Sequence, residues 1–340
     1  MSISIRFGRI EDTEAIMQFM DRHWRRGHIL SRCRDLLLYE FAERERINFA
    51  LAWRNDRLVG LFGFIKYNRR PIPDLAGSLW KVTETEKSPL LGMKLRQFVI
   101  DNVPHRFFSA PGAGPQTKPI YQVIGMNWAR MSHWFMLNQE MDKLDFRLAK
   151  FDGDLPISQK KESVVGRWSV RKVEDDKELK RFPFEKFDNT LPFKDAEYVR
   201  HRFFNYPIYD YQVWHVQGGH GQALYVTRLA NHGDACALRM VDYYGDEECL
   251  PAVGTALHQQ MRNSCAEYVD FVSFGFPQAL MSEAGFLELD LDDESIIIPN
   301  YFEPFERRNV PVYCVFDPVP NGFEFRMCKA DGDQDRPNSK

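Results

Sequence analysis

The chain has 340 residues, 44% of them hydrophobic and 14% aromatic, with a formal net charge of −3. That length accommodates two domains of ordinary size, each with its own core, and the composition is globular, not disordered. The slight negative charge argues against a general nucleic-acid binder, and the longest apolar runs, such as 50–53 and 296–298, are far too short to enter and cross a bilayer.

In chain order, residues 3–7 read as a strand. Arg9-Ile10-Glu11-Asp12-Thr13-Glu14-Ala15-Ile16 then opens a helix, with Asp12 in the place of an N-cap acceptor. The β-branched and aromatic runs 48–53 and 58–67 flank Arg54-Asn55-Asp56-Arg57 and predict a hairpin. A strand is expected over 77–83, an amphipathic helix over 89–102, a strand over 106–109, a short helix over 118–124 and a last strand over 130–137. Segment 139–165 is charged, lacks a clear period and carries the expected linker. The second half predicts strands over 211–217, 223–229 and 236–243, a helix over 250–265, a strand over 268–274, a helix over 278–284 and a last strand over 312–316. The six cysteines (Cys33, Cys236, Cys249, Cys265, Cys314, Cys328) show no CxxC and no paired spacing, and the N-terminus lacks an apolar signal core. Both features predict free thiols, a cytoplasmic location and no metal framework.

The two halves repeat. Lys172-Val173-Glu174-Asp175-Asp176-Lys177-Glu178-Leu179 echoes the segment that begins at Arg9, with Asp175 at the place of Asp12. Pro89-Leu90-Leu91-Gly92-Met93-Lys94-Leu95 echoes Pro251-Ala252-Val253-Gly254-Thr255-Ala256-Leu257. Tyr121-Gln122-Val123-Ile124-Gly125-Met126 echoes Met281-Ser282-Glu283-Ala284-Gly285-Phe286. Three landmarks in one order at nearly constant spacing identify a duplicated unit.

The unit, a hairpin followed by strand, helix, strand, helix and strand, resembles the GNAT superfamily of N-acyltransferases. Ala52-Trp53-Arg54-Asn55-Asp56-Arg57-Leu58-Val59-Gly60-Leu61-Phe62-Gly63 is similar to that family's second and third strands. Ile120-Tyr121-Gln122-Val123-Ile124-Gly125-Met126 matches its Tyr-x-x-x-Gly-Phe signature, whose tyrosine protonates the departing coenzyme A thiolate. The resemblance implies an α/β fold (an α+β mixed sheet) of two tandem GNAT-like domains, each a mostly antiparallel central sheet flanked by helices. It divides the chain into an N-terminal domain over 1–140 with the acyl-CoA site, a linker over 141–165, a degenerate C-terminal domain over 166–320 and a tail over 321–340.

The family's phosphate-binding turn, Arg/Gln-x-x-Gly-x-Gly/Ala, falls on Lys87-Ser88-Pro89-Leu90-Leu91-Gly92-Met93. The resemblance implies cofactor contacts from Lys87, Leu90, Leu91, Gly92 and Met93, because unpaired N–H groups at a helix start suit a pyrophosphate. Leu90 departs from the family's first glycine, and Pro89 has no N–H to give. The strand over 77–83 matches the one lying along pantetheine, so the N–H of Lys81 or Val82 polarises the thioester carbonyl. Tyr121 is the implied acid. Glu84 stands where relatives often place a carboxylate base, and His23, His28, His133 or a chain of waters are other routes for that proton. In the second half the turn reads Asp246-Glu247-Glu248 and the tyrosine is Met281, so that copy is expected to lack the chemistry.

The second half begins rich in aromatic residues, from which His201, Tyr206 and Trp214 are the candidate acceptor contacts. Rings and amides suit a nucleobase or a sugar face, although the same run also reads as a core helix leading into an edge strand. The ending Asp331-Gly332-Asp333-Gln334-Asp335-Arg336-Pro337-Asn338 reads most simply as a disordered acidic terminus. It also resembles the ending of tandem proteins from bacterial surface-polysaccharide clusters. The function implied is transfer of an acetyl or other acyl group from acyl-CoA to a small amine, a nucleotide-linked amino sugar, with no metal, nucleic acid or membrane insertion. A protein or peptide amine as acceptor, and a non-catalytic binding module of the same fold, are the alternatives.

Overall fold

The computed structural model describes residues 3–86, 88, 90–157, 168–219 and 221–338. Strand β1 (Ile3–Arg9) leads into helix α1 (Thr13–Phe19). Asp12 does not cap α1 as expected. The helix is entered through a tighter turn over Ile10–Asp12, so the Asp12 carboxylate reaches back to the Arg9 N–H at 2.7 Å and accepts two bonds from the Arg6 guanidinium at 2.7 and 2.8 Å. Asp175 does cap its helix, accepting from the Glu178 N–H at 2.9 Å. Strands β2 (Arg46–Arg54) and β3 (Arg57–Lys66) form the expected hairpin, turning at Asn55, whose φ of 53° is a conformation asparagine tolerates.

The first half continues with β4 (Asp74–Val82), α2 (Leu91–Asn102), β5 (Phe107–Pro111), α3 (Lys118–Val123), β6 (Asn127–Arg130) and β7 (Ser132–Leu137). The second half gives β8 (Trp168–Lys172), β9 (Gln212–Gly218), β10 (Gly221–His232), β11 (Ala235–Gly245), α4 (Leu250–Asn263), β12 (Tyr268–Phe274), α5 (Gln278–Glu283), β13 (Leu287–Glu288), β14 (Tyr313–Phe316) and β15 (Met327–Cys328).

These strands build two large mixed sheets. The first runs β1-β2-β3-β4-β5-β14-β6 and the second β8-β9-β10-β11-β12-β7-β13. Pairing along these two orders is antiparallel except β4 with β5 and β11 with β12. The orders match position by position once one exchange is recognised. Strand β14 of the second half inserts between β5 and β6, and β7 of the first half pairs with β12. The single strand expected over 130–137 is therefore two strands in different sheets, broken at the buried Met131, whose N–H bonds the Val312 carbonyl at 2.9 Å. Apolar alternation runs through both pieces, so periodicity alone cannot show the crossing.

The duplicated landmarks recur as equivalent geometry. Helices α3 and α5 end at Gly125 and Gly285, both left-handed at φ 79° and 92°. The Met126 N–H bonds the Tyr121 carbonyl, and the Phe286 N–H bonds the Met281 carbonyl, each at 3.0 Å. The Tyr-x-x-x-Gly spacing is thus the hydrogen-bond ring of a helix C-cap, and glycine is required by its positive φ.

One apolar cluster spans both halves, joining Ile16, Phe41, Phe49 and Tyr67 to Phe193, Tyr198, Phe203, Val226 and Tyr244. Separate clusters seat α2 on the first sheet and α4 on the second. The C-terminal segment, expected to be disordered, is folded and buried between the halves: Asp331, Asp333 and Asp335 are 0%, 5% and 2% exposed. Each aspartate meets a cation. Lys194 Nζ lies 2.7 Å from Asp331, Arg336 lies 3.0 Å from Asp333, and Arg228 grips Asp335 through two bonds of 2.8 and 3.0 Å. Burial pushes the Asp335 carboxyl up, but Arg228 more than offsets this and holds it well below the usual carboxylate range.

Because that folded pKa is depressed, the pair contributes stability in full above pH ~4 and loses it as the pH falls further. Asp335→Asn strands a buried guanidinium, at a cost of about 3–5 kcal/mol. Thermal melts should show a lower Tm at neutral pH and a shallower fall in Tm below pH ~4 than the parent shows.

Candidate active site

In the first sheet β4 and β5 pair in parallel only over Asp74–Ala76 and Phe107–Ser109, then diverge. Two local features part them, next to Gly77, which has no Cβ and so leaves room for the Phe108 ring. The register of β3 with β4 slips between Phe62↔Trp80 and Phe64↔Gly77, which bulges Ser78 and Leu79 out of the strand. Pro111, at the end of β5, has no N–H for a ladder bond.

A cleft of about 270 Å³ opens in this divergence. Gly77–Trp80 forms one wall, and Ala110–Gly114 with Gln116 and Thr117 forms the opposite one. Tyr121 of α3 closes the inner side, and Trp24, His28, Tyr301 and the C-terminal residues Asp333, Gln334, Arg336 and Asn338 complete it. Strand alternation aims backbone donors into the opening. The Thr83 N–H bonds the Val59 carbonyl on β3, so the Lys81 N–H points the same way, while the Trp80 and Val82 N–H groups point away from β3.

Tyr121 is 4% exposed, with its ring 5.6 Å from Trp80 and 6.5 Å from Trp128. Burial pushes its phenol up to about 12, against the opposing pull of Arg96, so it carries its proton at neutral pH. His28 Nδ1 accepts the Leu30 N–H at 3.2 Å, which leaves the ring proton on Nε2. Burial, helped by Arg336 and Arg25, lowers its pKa to about 3. It is therefore a neutral donor in the wall and a poor base.

The equivalent divergence in the second sheet is filled by the chain itself. Strands β11 and β12 pair over Leu238–Met240 and Val269–Phe271, then part. Into the gap comes β15, antiparallel to β12 through Ser273↔Cys328 and Phe274↔Met327. The Lys329 N–H then bonds the Val272 carbonyl, and the Ala330 N–H bonds the Val241 carbonyl, each at 3.0 Å. The acidic turn is engaged as well: Asp246 pairs with Lys186 at 2.7 Å and Glu247 with Arg326 at 2.8 Å. Met281 is fully buried in the α4 core. Asp242, Cys328 and Asp331 converge as a metal site would, but the Lys194 ammonium stands among them and supplies the positive charge.

The residues singled out in the sequence fall in several places. Leu90 is left-handed at φ 60° and 66% exposed, immediately before α2. The first-turn N–H groups of Leu91, Gly92 and Met93 have no acceptor within the helix. Gly92 meets Trp80 edge-on. The indole N–H bonds the Gly92 carbonyl at 3.1 Å, and a Cβ would lie 3.0 Å from that nitrogen. Lys87 and Pro89 lie outside the described residues. Lys81 and Val82 continue β4 past the cleft, and Glu84 sits in the following turn with its side chain 92% exposed, 3.8 Å from Lys81. His23 packs on Phe19, and His133 is buried in the second sheet 3.6 Å from Asp270. His201 stacks on Tyr39 at 4.2 Å, and Tyr206 donates to Glu40 at 2.8 Å, both beside a separate cavity of about 40 Å³. Trp214 lines an open groove on the second sheet and donates to Thr227 at 3.0 Å. None of these three touches the cleft at Tyr121. Trp24, Ser78, Trp80 and Tyr301 are among the cleft residues that no sequence pattern singled out. The tail did carry a signal, its run of alternating aspartates, but was expected to be disordered.

No protein-family model and no curated protein sequence matches the chain. Solved structures match its fold. A GCN5-related N-acetyltransferase from Anabaena variabilis aligns over 94% of this chain and 73% of its own, with TM-score 0.58 at 9% identity. One from Kribbella flavida aligns over 93% and 71%, with TM-score 0.50 at 10% identity. A GCN5-related glucosamine N-acetyltransferase region of a fungal multi-domain β-N-acetylglucosaminidase aligns over 93% of this chain and 38% of that one, with TM-score 0.52 at 8% identity. At such identities the likeness is one of fold: this chain has the mixed-sheet fold of the GCN5-related N-acetyltransferases, in tandem.

The left-handed Leu90 gives a test of the helix start. Leu90→Gly removes roughly 1–2 kcal/mol of backbone strain and adds roughly 0.5–1 kcal/mol of chain entropy to be lost on folding. The side chain is exposed, so no packing is forfeited. Urea unfolding should show a small rise in midpoint with an unchanged slope.

Proposed function

We propose that the chain is an acyl-CoA-dependent N-acyltransferase whose single reaction centre is the cleft between β4 and β5. The observation that carries this reading is Tyr121, a phenol held protonated at the inner wall of an opening beside the stretch of β4 whose Trp80 N–H is directed away from β3. These are the two elements acyl transfer requires: a proton for a leaving thiolate and donors for a carbonyl oxygen that gains charge. The residues present fit the cosubstrate. Leu91, Gly92 and Met93 offer first-turn N–H groups to its phosphates, and Trp80 and Val82 offer theirs to its carbonyl and amide oxygens. Bound there, acyl-CoA supplies an activated thioester. Tyr121 then gives its proton to the departing sulfur, and the amine proton leaves through waters of the polar wall, since His28 is kept neutral as a donor. Leu90, which narrows the approach to the helix start, favours a second reading: a ligand-binding module without chemistry.

The acceptor belongs to the small amines, and the finer reading is a nucleotide-linked amino sugar. The sequence resemblance to surface-polysaccharide proteins supports it, and so does the fold likeness to a glucosamine N-acetyltransferase region. A cytoplasmic location accords with six unpaired cysteines, and no helix among the described residues is long and apolar enough to cross a membrane.

Two measurements test the centre. Calorimetric titration with acetyl-CoA should give one site per chain, because the second divergence is filled by β15 and the residues after it; two sites, or none, would sink the assignment. Tyr121→Phe should lower kcat on the order of 10²-fold while the dissociation constant for acetyl-CoA stays nearly unchanged. Undiminished turnover would remove Tyr121 from the role of acid.

A further inference from the structure

The cleft of the first unit is completed by residues more than two hundred positions away in the chain, and their attachment is unusually secure. From β15 the chain leaves the second sheet and turns at Gly332, where a Cβ would stand 3.0 Å from that of Ala76. It then crosses the mouth of the β4–β5 divergence. Asp333 accepts from the Ser78 hydroxyl on the bulge of β4 and from Arg336, whose other prong reaches Glu40 at 2.7 Å. Arg202 bonds the Ala330 and Asp335 carbonyls at 3.1 and 2.9 Å. At the far end the Ile29 N–H takes the Asn338 carbonyl, and the Asn338 N–H bonds the Glu303 carbonyl, each at 3.0 Å. The backbone is therefore fixed at both ends, while Gln334 and Asn338 carry side-chain amides among the residues that line the cleft.

The charges of this wall are already spent. Among the described residues lining the cleft, the charged side chains are Asp333 and Arg336, and they pair with each other. What remains is neutral: amides of Gln116, Gln334 and Asn338, hydroxyls of Thr117 and Tyr301, and the faces of Trp24 and Tyr301. A polycationic acceptor needs an unpaired carboxylate to replace the hydration it loses, and this wall has none. Amides and hydroxyls beside aromatic faces suit a polyhydroxylated ring.

Resting on the acyltransferase reading above, we infer that the C-terminal segment is the acceptor-recognition element of the first unit. Gln334 and Asn338 hydrogen-bond the hydroxyls of a polyhydroxylated amine, as opposed to a polycationic one, opposite Tyr121, and the second unit serves to hold this segment in place. The two residues are specificity-determining and take no part in proton transfer.

The test uses the full chain with D-glucosamine and its uridine-diphosphate-linked form as hydroxylated amines and spermidine as the polycation, following release of coenzyme A. The parent should use at least one hydroxylated amine in preference to spermidine. Gln334→Ala and Asn338→Ala, which keep all three aspartate anchors, should each raise the acceptor KM roughly tenfold, the loss of one hydrogen bond. Their Tm and acetyl-CoA dissociation constant should match the parent's. Preference for spermidine, an unchanged acceptor KM in both variants, or acetyl-CoA binding with no hydroxylated amine accepted would overturn the inference and leave the cofactor assignment standing. Failure of acetyl-CoA to bind the parent would overturn the acyltransferase reading itself, and this inference with it.

Discussion

Three aspartates in a short segment can be buried between two sheets only if each meets a cation. Lys194, Arg336 and Arg228 supply those charges, and the architecture turns on them. Arg228 comes from the middle of β10, Lys194 from the stretch just before the short helix Ala196–Val199, and Arg336 from the segment itself. A lone carboxylate in such a place would be neutralised or expelled, since desolvating it costs several kcal/mol or more. With the pairs made, the segment can run through the interior, fill one divergence and wall another.

That path explains why two copies of one unit have become unlike. Both sheets part where their parallel strands end, because a parallel pair with helices on its faces leaves an opening at the carboxyl ends of its strands. In the second sheet the Val241 and Val272 carbonyls are satisfied by the chain's own N–H groups. Once those bonds exist, a ligand would have to displace covalently attached competitors whose effective concentration is very high. The acidic turn before α4 and the buried Met281 are then under no demand to bind phosphate or move a proton. The first sheet keeps its opening, with a protonated phenol on one side and the segment on the other.

The exchange of β7 and β14 ties the halves together more strongly than a linker does. Each sheet takes its sixth strand from the other half, so neither sheet is complete in a fragment cut near residue 140. The shared cluster from Ile16 to Tyr244 adds a common apolar core. Cooperative unfolding of the two halves is the physical expectation for such an arrangement, since separating them exposes two sheet edges and that core together.

The local elements and the duplication are written in the order of neighbouring residues. The hairpin at Asn55, the helix ends at Gly125 and Gly285, and the strand beginning at Tyr268 follow from turn chemistry and period, which are properties of neighbouring residues. The Tyr121–Gly125 spacing was legible for the same reason, being one helix cap. Which sheet β7 and β14 join is set by the folded chain alone, since a strand's alternation is the same whichever partner it meets. The fold also decided that His201, Tyr206 and Trp214 face other cavities, because an aromatic residue packs equally well in a core or beside a ligand. Most of all it decided the fate of the alternating aspartates. By composition they belong in water, and they are buried because cations distant in sequence, Lys194 and Arg228, are brought to two of them by the fold, an arrangement no local pattern can encode.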